Sequence, residues 1–273
     1  MKRELARGGT VAYDFTGQVV LVTGSSRGIG LAIAEAFAAA GARVMLNGRD
    51  GSTLESSVIA LRQRGWDVAG FTADIRDFDA VTAMVTETEQ RYGGLDVLVN
   101  NAGGVFATPL ESLSPNGWRA LVETNLSSAF YCSRAALPVL RKGGGGAIVN
   151  ISSVAAYHAH PLRAAYGAAK AGLNSLTKTM AYEWAPYAVR VNGIAPGPIL
   201  TEASRFADPA VAEAVTADVP VRRLGLPEDV ADACLFLVSK GADFVTGVTI
   251  PVDGGPLRSL PKSAEAAPRK TQA

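Results

Sequence analysis

The sequence predicts an α/β protein built on a single doubly wound parallel sheet of about seven strands, with helices on both faces. Two observations predict this fold. Short β-branched runs alternate along the chain with longer amphipathic segments, and the short runs are apolar throughout, as in strands buried on both faces. Because parallel neighbours need crossover connections, the amphipathic segments are expected to form right-handed crossovers on both sides of the sheet.

The predicted strands are short runs rich in β-branched and other apolar residues. They are residues 18–23, 42–47, 67–74, 96–100, 147–152, 189–194 and 247–252. The predicted helices lie between them at residues 29–40, 53–64, 77–92, 115–141, 164–185 and 227–239. The long connection at residues 198–226 has no clear periodicity, and connections of that length in compact domains are usually functional, so we expect it to be a substrate flap.

The length of 273 residues suits one α/β unit, which we place at residues 16–257. Residues 1–15 precede the first apolar run, and residues 258–273 are rich in Ala, Pro, Lys and polar residues. We expect the first of these ends to be a loose N-terminal extension and the second a flexible C-terminal tail.

Composition excludes several classes of function. A net charge of +1 leaves no excess of basic residues for nucleic acid or an acidic membrane surface. The two cysteines, Cys132 and Cys234, lie in helical segments and do not indicate a disulfide framework. Without a signal peptide or a long apolar run, the protein is predicted to be cytoplasmic.

A glycine-rich turn, "TGSSRGIG" at residues 23–30, follows the first predicted strand directly and opens a helix. Gly24, Gly28 and Gly30 lack side chains, so a pyrophosphate can approach the backbone and the helix N-terminus there. A plain tight turn is the alternative, which the position between a strand and a helix makes less favourable.

A second motif, "RAAYGAAKAG" at residues 163–172, places Tyr166 and Lys170 one helical turn apart. A free tyrosine has a pKa of about 10 and is a sluggish acid at neutral pH, so a nearby cation is needed to make it reactive. Taken alone, such a pair is more often surface decoration than chemistry. Ser153 lies thirteen residues before Tyr166 at the end of a strand, with Ser152 as its rival, and strand alternation lets only one of them face a site.

Taken together, these motifs resemble the short-chain dehydrogenase/reductase family. The resemblance rests on the G-x-x-x-G-x-G spacing, "NNAG" (100–103), Y-x-x-x-K (166–170) and "PGPILT" (196–201), and it covers roughly residues 15–255. It implies a Rossmann-type catalytic domain and an NAD(P)-dependent oxidoreductase acting on CH–OH or C=O groups. It also implies a small-molecule substrate and a homodimer or homotetramer.

The resemblance also assigns residue roles. As catalytic residues it implies Asn125, Ser153, Tyr166 and Lys170, with Ser153 preferred to Ser152 by the family spacing and Asn125 supporting a proton path to Lys170. As cofactor-binding residues it implies Gly24, Ser26, Arg27, Gly28, Ile29, Gly30, Arg49, Asp74, Asn101, Ala102, Gly103, Tyr166, Lys170, Ile199 and Thr201. No metal is predicted, because His158 and His160 have no third ligand nearby and are expected to line the substrate entrance or face water.

Cofactor choice depends on the end of the second strand. Gly48 stands where NAD-type members of the family carry Asp, and Arg49 follows it, with Arg27 inside the glycine turn. Two guanidinium groups converging on a 2′-phosphate favour NADP(H), with NAD(H) as the alternative, because both arginines could be solvated and Asp50 is close by.

The branch of the family that the sequence looks most like contains the 3-oxoacyl-carrier-protein reductases. The segments that suggest it are "ETNLSSAF", "VPVRRLGLPEDVA" and "VTGVTIPVDGG". A 3-oxoacyl thioester is therefore one expected substrate. The alternatives are a sugar, a steroid, a cyclic ketone or an enoyl thioester, or a non-catalytic regulator that binds NADP.

Overall fold

The computed structural model describes residues 11–202 and 204–255. The predicted C-terminal tail at 258–273 and residues 1–10 of the predicted N-terminal extension lie outside the described residues. Phe15 is buried and packs edge-on against Phe37, so the packed unit begins before the predicted start at residue 16. The remaining domain limits stay predictions.

One seven-stranded sheet forms the centre of the molecule, as the sequence predicts. The strands are β1 Val19–Val22, β2 Arg43–Gly48, β3 Val68–Thr72, β4 Val97–Asn100, β5 Gly146–Ile151, β6 Val189–Pro196 and β7 Thr249–Val252. They lie in the order β3-β2-β1-β4-β5-β6-β7, and every neighbouring pair is parallel. The order reverses between β1 and β4, where open α/β sheets form their ligand crevice.

The helices are α1 Gly28–Ala39, α2 Gly51–Gln63, α3 Phe78–Tyr92, α4 Pro115–Val122, α5 Ser128–Lys142, α6 Ala164–Trp184, α7 Pro209–Asp218 and α8 Pro227–Val238. They cover both faces of the sheet. On one face α1, α2 and α8 bury an apolar cluster that includes Phe37, Leu61 and Cys234. On the other, α3, α5 and α6 bury a second cluster that includes Met84 and Cys132. The predicted doubly wound α/β fold is confirmed.

Two predicted elements differ from the structure. The single helix expected at 115–141 is interrupted by a π-helical turn, Glu123–Ser127, which separates α4 from α5. The segment 198–226 contains α7, which begins with Asp208 accepting a hydrogen bond from the backbone of Ala210 and with Pro209 in its first turn. Its base is closed by a parallel bridge between Ile199 and Gly225.

A buried polar network joins the centre of the sheet to the helices on one face. Asn100 on β4 donates to the side chains of Ser133 on α5 and Asn150 on β5, at 2.9 and 2.8 Å. Asn150 in turn donates to the hydroxyl of Thr177 on α6 at 2.9 Å. All four side chains are buried, and these hydrogen bonds replace most of those that water would otherwise make, while the side-chain oxygen of Asn100 is buried without a partner. The network fixes β4, β5 and α6 relative to one another directly below the residues that follow β4 and β5.

No helix among residues 11–202 and 204–255 is long and apolar enough to cross a membrane.

Candidate active site

A cleft of about 1020 Å³ opens along the carboxyl edge of the sheet. Every residue predicted from the sequence to be catalytic or to bind the cofactor lines it. These residues are Gly24, Ser26, Arg27, Gly28, Ile29, Gly30, Arg49, Asp74, Asn101, Ala102, Gly103, Asn125, Ser153, Tyr166, Lys170, Ile199 and Thr201. The structure thus brings together residues separated by up to 177 positions (201 − 24 = 177). Their roles stay predictions.

The glycine turn after β1 lies in direct contact with the segment after β4. Gly24 and Gly28 have φ angles of +61° and +59°, which residues with side chains rarely adopt. A Cβ on Gly24 would lie 2.7 Å from the Cα of Ala102, and one on Gly30 would collide with the side-chain nitrogen of Asn101. Gly24 and Gly30 therefore let the two turns pack together at the N-terminus of α1, whose backbone N–H groups suit a dinucleotide pyrophosphate.

Hydrogen bonds hold these two turns together. Asn101 donates through its side chain to the carbonyl oxygens of Thr23 and Gly24, each at 2.9 Å. The hydroxyl of Thr23 accepts from the backbone nitrogens of Asn101 and Ala102 at 3.0 and 3.1 Å. Asn101 and Ala102 thus shape one wall of the cleft through contacts with the glycine turn.

At the far end of the cleft, after β2 and β3, positive charge dominates. Arg27, Arg49 and Arg76 all line this end. Asp50 accepts a hydrogen bond from the backbone nitrogen of Thr53 at 2.7 Å and caps α2, and its hydrogen bonds with Thr53 and Ser52 lower its pKa to about 2. The carboxylate of Asp50 is therefore committed to starting a helix.

Asp74 lies at the same end and is paired with a residue that sequence reasoning missed. Arg76 donates to both carboxylate oxygens of Asp74, through Nε at 3.0 and 3.1 Å. Hydrogen bonds from Arg76, with a contribution from the charge of Arg49, hold the pKa of Asp74 below its ordinary value. The signal available in the sequence was that Arg76 follows Asp74 by two positions. At that spacing an arginine side chain can reach back to the carboxylate.

Ser153 and Tyr166 meet near the middle of the cleft. Ser153 follows β5, and its hydroxyl oxygen accepts a hydrogen bond from the backbone nitrogen of Ala155 at 3.1 Å. Burial raises the pKa of Tyr166 above its ordinary value, while its hydrogen bond with Ser153 and the positive charge of Arg163 oppose that rise. Tyr166 is therefore a protonated phenol at neutral pH, and Ser153 and Arg163 favour its ionised form.

Ser152 and Ser153 diverge as strand alternation requires. Ser152 is buried, and its hydroxyl donates to the backbone carbonyl of Lys170 at 3.3 Å. Ser153 is the more exposed of the two and is the one hydrogen-bonded with Tyr166. The geometry therefore favours Ser153 over Ser152 as the residue beside the phenol.

Lys170 is buried one turn after Tyr166 on α6. Its ammonium donates to the carbonyl oxygen of Ile151 at 2.7 Å and lies 5.8 Å from the ring centre of Tyr166. Desolvation lowers the pKa of Lys170 to about 8. A lysine of this kind changes its charge close to physiological pH.

Asn125 lies on the π-helical turn between α4 and α5. Its side chain donates to the backbone oxygens of Gly104 and Leu121, at 2.7 and 2.9 Å, and accepts from the backbone nitrogen of Gly104 at 3.2 Å. A Cβ on Gly103 would lie 2.8 Å from the Asn125 side-chain oxygen and 3.6 Å from Lys170 Nζ. Asn125 and Lys170 therefore converge on the glycine that follows β4.

A family model described as enoyl-(acyl carrier protein) reductase, of the short-chain dehydrogenase type, matches residues 24–256. The chain belongs to the short-chain dehydrogenase/reductase family. This short-chain dehydrogenase/reductase is accordingly an oxidoreductase that acts on CH–OH or C=O groups with NAD(P)(H).

Relatives of this short-chain dehydrogenase/reductase differ in their substrates. A 3β-hydroxysteroid dehydrogenase 1 of Eggerthella lenta is 40% identical over 246 residues, covering 89% of this chain and 94% of the relative. A 3-oxoacyl-(acyl-carrier-protein) reductase of Synechocystis sp. is 39% identical over 242 residues, covering 88% of this chain and 97% of the relative. A solved structure of a 7α-hydroxysteroid dehydrogenase with NADH and 7-oxo glycochenodeoxycholic acid superposes with a TM-score of 0.86 at 34% identity, covering 90% of this chain and 97% of that one.

The end of the cleft that contains Tyr166, called the substrate end below, has a further residue that was not predicted from the sequence of this short-chain dehydrogenase/reductase. Arg163 lines the cleft together with His158 and His160, which were expected at the substrate entrance. Its place three residues before Tyr166, at the start of the same predicted helix, was the available signal. Val105, Phe206 and Val215 add apolar surface to the same cleft.

Proposed function

We propose that the protein is an NADP(H)-dependent reductase of a carbonyl compound and, in the reverse direction, a dehydrogenase of the corresponding secondary alcohol. The observation that carries this proposal is the placement of Ser153, Tyr166 and Lys170 along one cleft, with the Lys170 ammonium 5.8 Å from the ring centre of Tyr166. A protein that only bound a dinucleotide would have no need of a proton donor at this place.

The residues present suit the dinucleotide that the family uses. Its pyrophosphate would lie at the N-terminus of α1 beside Gly28, whose added Cβ would meet only Thr201 within 4 Å, and Asn101 and Ala102 form the wall next to it. When bound, the cofactor supplies a hydride for the carbonyl carbon. Among the residues at the reacting end, Lys170 is proposed to hold the nicotinamide ribose.

The chain's own residues then handle the proton and the oxygen. The phenol of Tyr166 gives its proton to the substrate oxygen, so that hydride and proton together convert C=O to CH–OH. Ser153 donates a hydrogen bond to the same oxygen and stabilises the negative charge that develops there. Its oxygen accepts from the backbone nitrogen of Ala155 and its proton remains the group that can donate.

Lys170 and Asn125 act behind the phenol. The Lys170 ammonium favours the phenolate left after proton transfer, and we assign Asn125 to the path that returns a proton through Lys170. Asn125 is itself held by three hydrogen bonds to Gly104 and Leu121, so its position is defined before substrate binds.

A preference for NADP(H) is supported by the charges at the adenosine end. Arg27, Arg49 and Arg76 line that end, while Asp50, the carboxylate nearest Arg49 in sequence, is engaged as the cap of α2. A 2′-phosphate would therefore meet guanidinium donors. Initial rates with both reduced cofactors test the preference, and a higher kcat/KM with NADH would overturn it.

A 3-oxoacyl thioester is one candidate substrate, supported by the description of the matching family model and by the reductase of Synechocystis sp.. The decisive experiment is an NADPH oxidation screen with 3-oxoacyl thioesters, oxo acids, diketones, oxidised sugars and oxosteroids. Turnover of any member supports the proposal. Tight binding of NADP(H) without turnover of any carbonyl compound would favour a non-catalytic regulator instead.

A homodimer or homotetramer is proposed as the working assembly. Large apolar side chains are exposed on the outer surfaces of α4, α5 and α6, among them Trp118, Phe130 and Tyr182. Burying such residues between subunits would remove them from water. Light scattering that finds a monomer at micromolar concentration would contradict this assembly.

A further inference from the structure

The substrate end of the cleft contains an arginine that the proposed mechanism does not use. Arg163 immediately precedes α6, lines the cleft and lies three residues before Tyr166. The backbone oxygen of Arg163 accepts from the backbone nitrogen of Gly167 at 2.9 Å, so Arg163 caps the first turn of α6, the turn that contains Tyr166. Arg163 and Tyr166 therefore lie within one turn of each other at the edge of the cleft, and the charge of Arg163 opposes the rise in the pKa of Tyr166.

Acidic side chains are placed only at the opposite end of this cleft. Among the described residues that line it, the carboxylates are Asp50 and Asp74, which cap α2 and pair with Arg76 respectively. The described lining residues near Tyr166 that can carry charge are Arg163, Lys170, His158 and His160, all of them cationic when charged. The substrate end is thus an electropositive pocket with apolar walls, which attracts anions.

We propose that Arg163 binds a carboxylate of the substrate, so that the preferred substrates are oxo acids and hydroxy acids whose carboxylate lies a few bonds from the reacting carbon. This inference rests on the proposed function and narrows its substrate class. The short separation between Arg163 and Tyr166 sets the distance, because the carboxylate and the carbonyl oxygen must reach the two side chains together. The planar guanidinium offers paired donors that match a carboxylate, which an amide or ester does not reproduce.

Two consequences of Arg163 can be separated by experiment. By its charge it favours the Tyr166 phenolate, an effect that acts on every substrate alike. By binding a carboxylate it acts only on substrates that carry one. The ratio of kcat/KM for an acid to kcat/KM for its neutral ester therefore reports anion binding and cancels the effect on Tyr166.

The kinetic test uses 3-oxobutanoate and 4-oxopentanoate beside their methyl esters, with wild type, Arg163→Gln, Arg163→Lys and the control Arg64→Gln. Arg64 is exposed and lies outside the cleft. We expect wild type to prefer an acid to its ester, Arg163→Gln to lower that preference by about 10- to 100-fold, and Arg163→Lys to restore part of it. An unchanged acid-to-ester ratio in Arg163→Gln would overturn the inference.

A binding test keeps the inference separate from the proposed function. Butanoate and butanamide, which have no ketone to reduce, are titrated into the NADP⁺-loaded protein and followed by saturation-transfer NMR. We expect butanoate to bind wild type and Arg64→Gln at least about tenfold more tightly than Arg163→Gln, and butanamide to bind all three alike. Equal binding of butanoate to all three proteins overturns this inference even if the enzyme reduces ketones. Selective butanoate binding without turnover of any carbonyl compound supports it and contradicts the proposed function.

Discussion

The ammonium of Lys170 lies 2.7 Å from the carbonyl oxygen of Ile151 and is buried between α6 and the end of β5. This hydrogen bond ties the helix that carries Tyr166 to the strand that leads to Ser153. The carbonyl oxygen does not neutralise the positive charge of the ammonium. Because that charge is removed from water, the pKa of Lys170 is lowered to about 8. The buried ammonium of Lys170 therefore lowers the stability of the fold, and the proposed reaction uses its charge.

Lys170→Met is expected to stabilise the fold and abolish activity. Below about pH 8 the native protein buries the ammonium, whereas the unfolded chain keeps its lysine solvated with the ordinary lysine pKa of 10.5. Replacing the charge with an apolar chain of similar length should raise the free energy of unfolding by about 1–2 kcal/mol at pH 7 and raise Tm by several degrees. The gain should shrink as pH rises above 8, because native Lys170 is then neutral.

Thermal unfolding at several pH values measures this effect. Lys178→Met is the matched control, because Lys178 is exposed on the same helix. A lower Tm for Lys170→Met than for wild type at pH 7 would show that the buried charge stabilises the fold.

The rate of carbonyl reduction is expected to fall as pH rises above about 8. The pKa of Lys170 is lowered to about 8, so its ammonium is present below that pH and lost above it. The pKa of Tyr166 is raised by burial, so the phenol stays protonated through the neutral range and can act as the acid. Alcohol oxidation needs the phenolate and should rise with pH. Profiles of kcat/KM in both directions between pH 6 and 10 check this, and a flat reduction profile would count against it.

Tyr166→Phe is expected to lower kcat by at least about a thousandfold, since proton transfer is removed while positioning remains. The affinity for NADP(H), measured by calorimetry, should change by no more than a few-fold. Tyr157→Phe is the control, because that tyrosine is exposed and its hydroxyl donates to the carbonyl oxygen of Thr249. Activity of Tyr166→Phe within a few-fold of wild type would refute the assignment of the proton donor.

Gly30→Ala is expected to disrupt the contact between the glycine turn and the segment after β4. The added Cβ would collide with the side-chain nitrogen of Asn101 and the carbonyl oxygen of Gly24. We expect a loss of about 1–3 kcal/mol in the free energy of unfolding and weaker cofactor binding. Gly94→Ala is the control, because nothing lies within 4 Å of its added Cβ. Equal stability and cofactor affinity of the two variants would show that the turn accommodates the methyl group.

Arg27→Gln combined with Arg49→Gln is expected to weaken use of NADPH selectively. Each guanidinium that contacts a 2′-phosphate contributes a charge-assisted hydrogen bond, so their joint loss should lower kcat/KM for NADPH by about tenfold or more. The value for NADH should change by less than about threefold, because NADH carries no 2′-phosphate. Equal losses with both cofactors would indicate that the two arginines serve the fold or a part common to both cofactors.

Most of the fold could be predicted because buried parallel strands are apolar along their whole length. "QVVLVT" contains β1, "AIVNIS" contains all of β5 except Gly146, and the glycines after β1 mark the turn that precedes the first helix. The site could be predicted in outline for a similar reason. Ser153 lies at a strand end, Tyr166 and Lys170 share one helix face, and the doubly wound topology brings these places to one edge of the sheet.

What escaped prediction depends on contacts between distant residues. The π-helical turn at Asn125 coincides with side-chain hydrogen bonds to Gly104, 21 positions away, which no local pattern encodes. Helix α7 had a local start signal in Asp208 and Pro209, but it buries only Val215 among its described residues and so shows no clear apolar stripe. Arg76 and Arg163 were missed because a single arginine beside a motif is usually solvated.

The buried network of Asn100, Ser133, Asn150 and Thr177 limits which substitutions these four positions can accept one at a time. Each hydrogen bond joins two different elements of the fold. Replacing one member by an apolar residue therefore leaves its former partner buried without that hydrogen bond. Variants with one change are therefore expected to be less stable than either the intact set or a fully apolar one. Among descendants of this chain these four positions should be inherited as a unit and lost as a unit, while the apolar positions around them exchange one at a time.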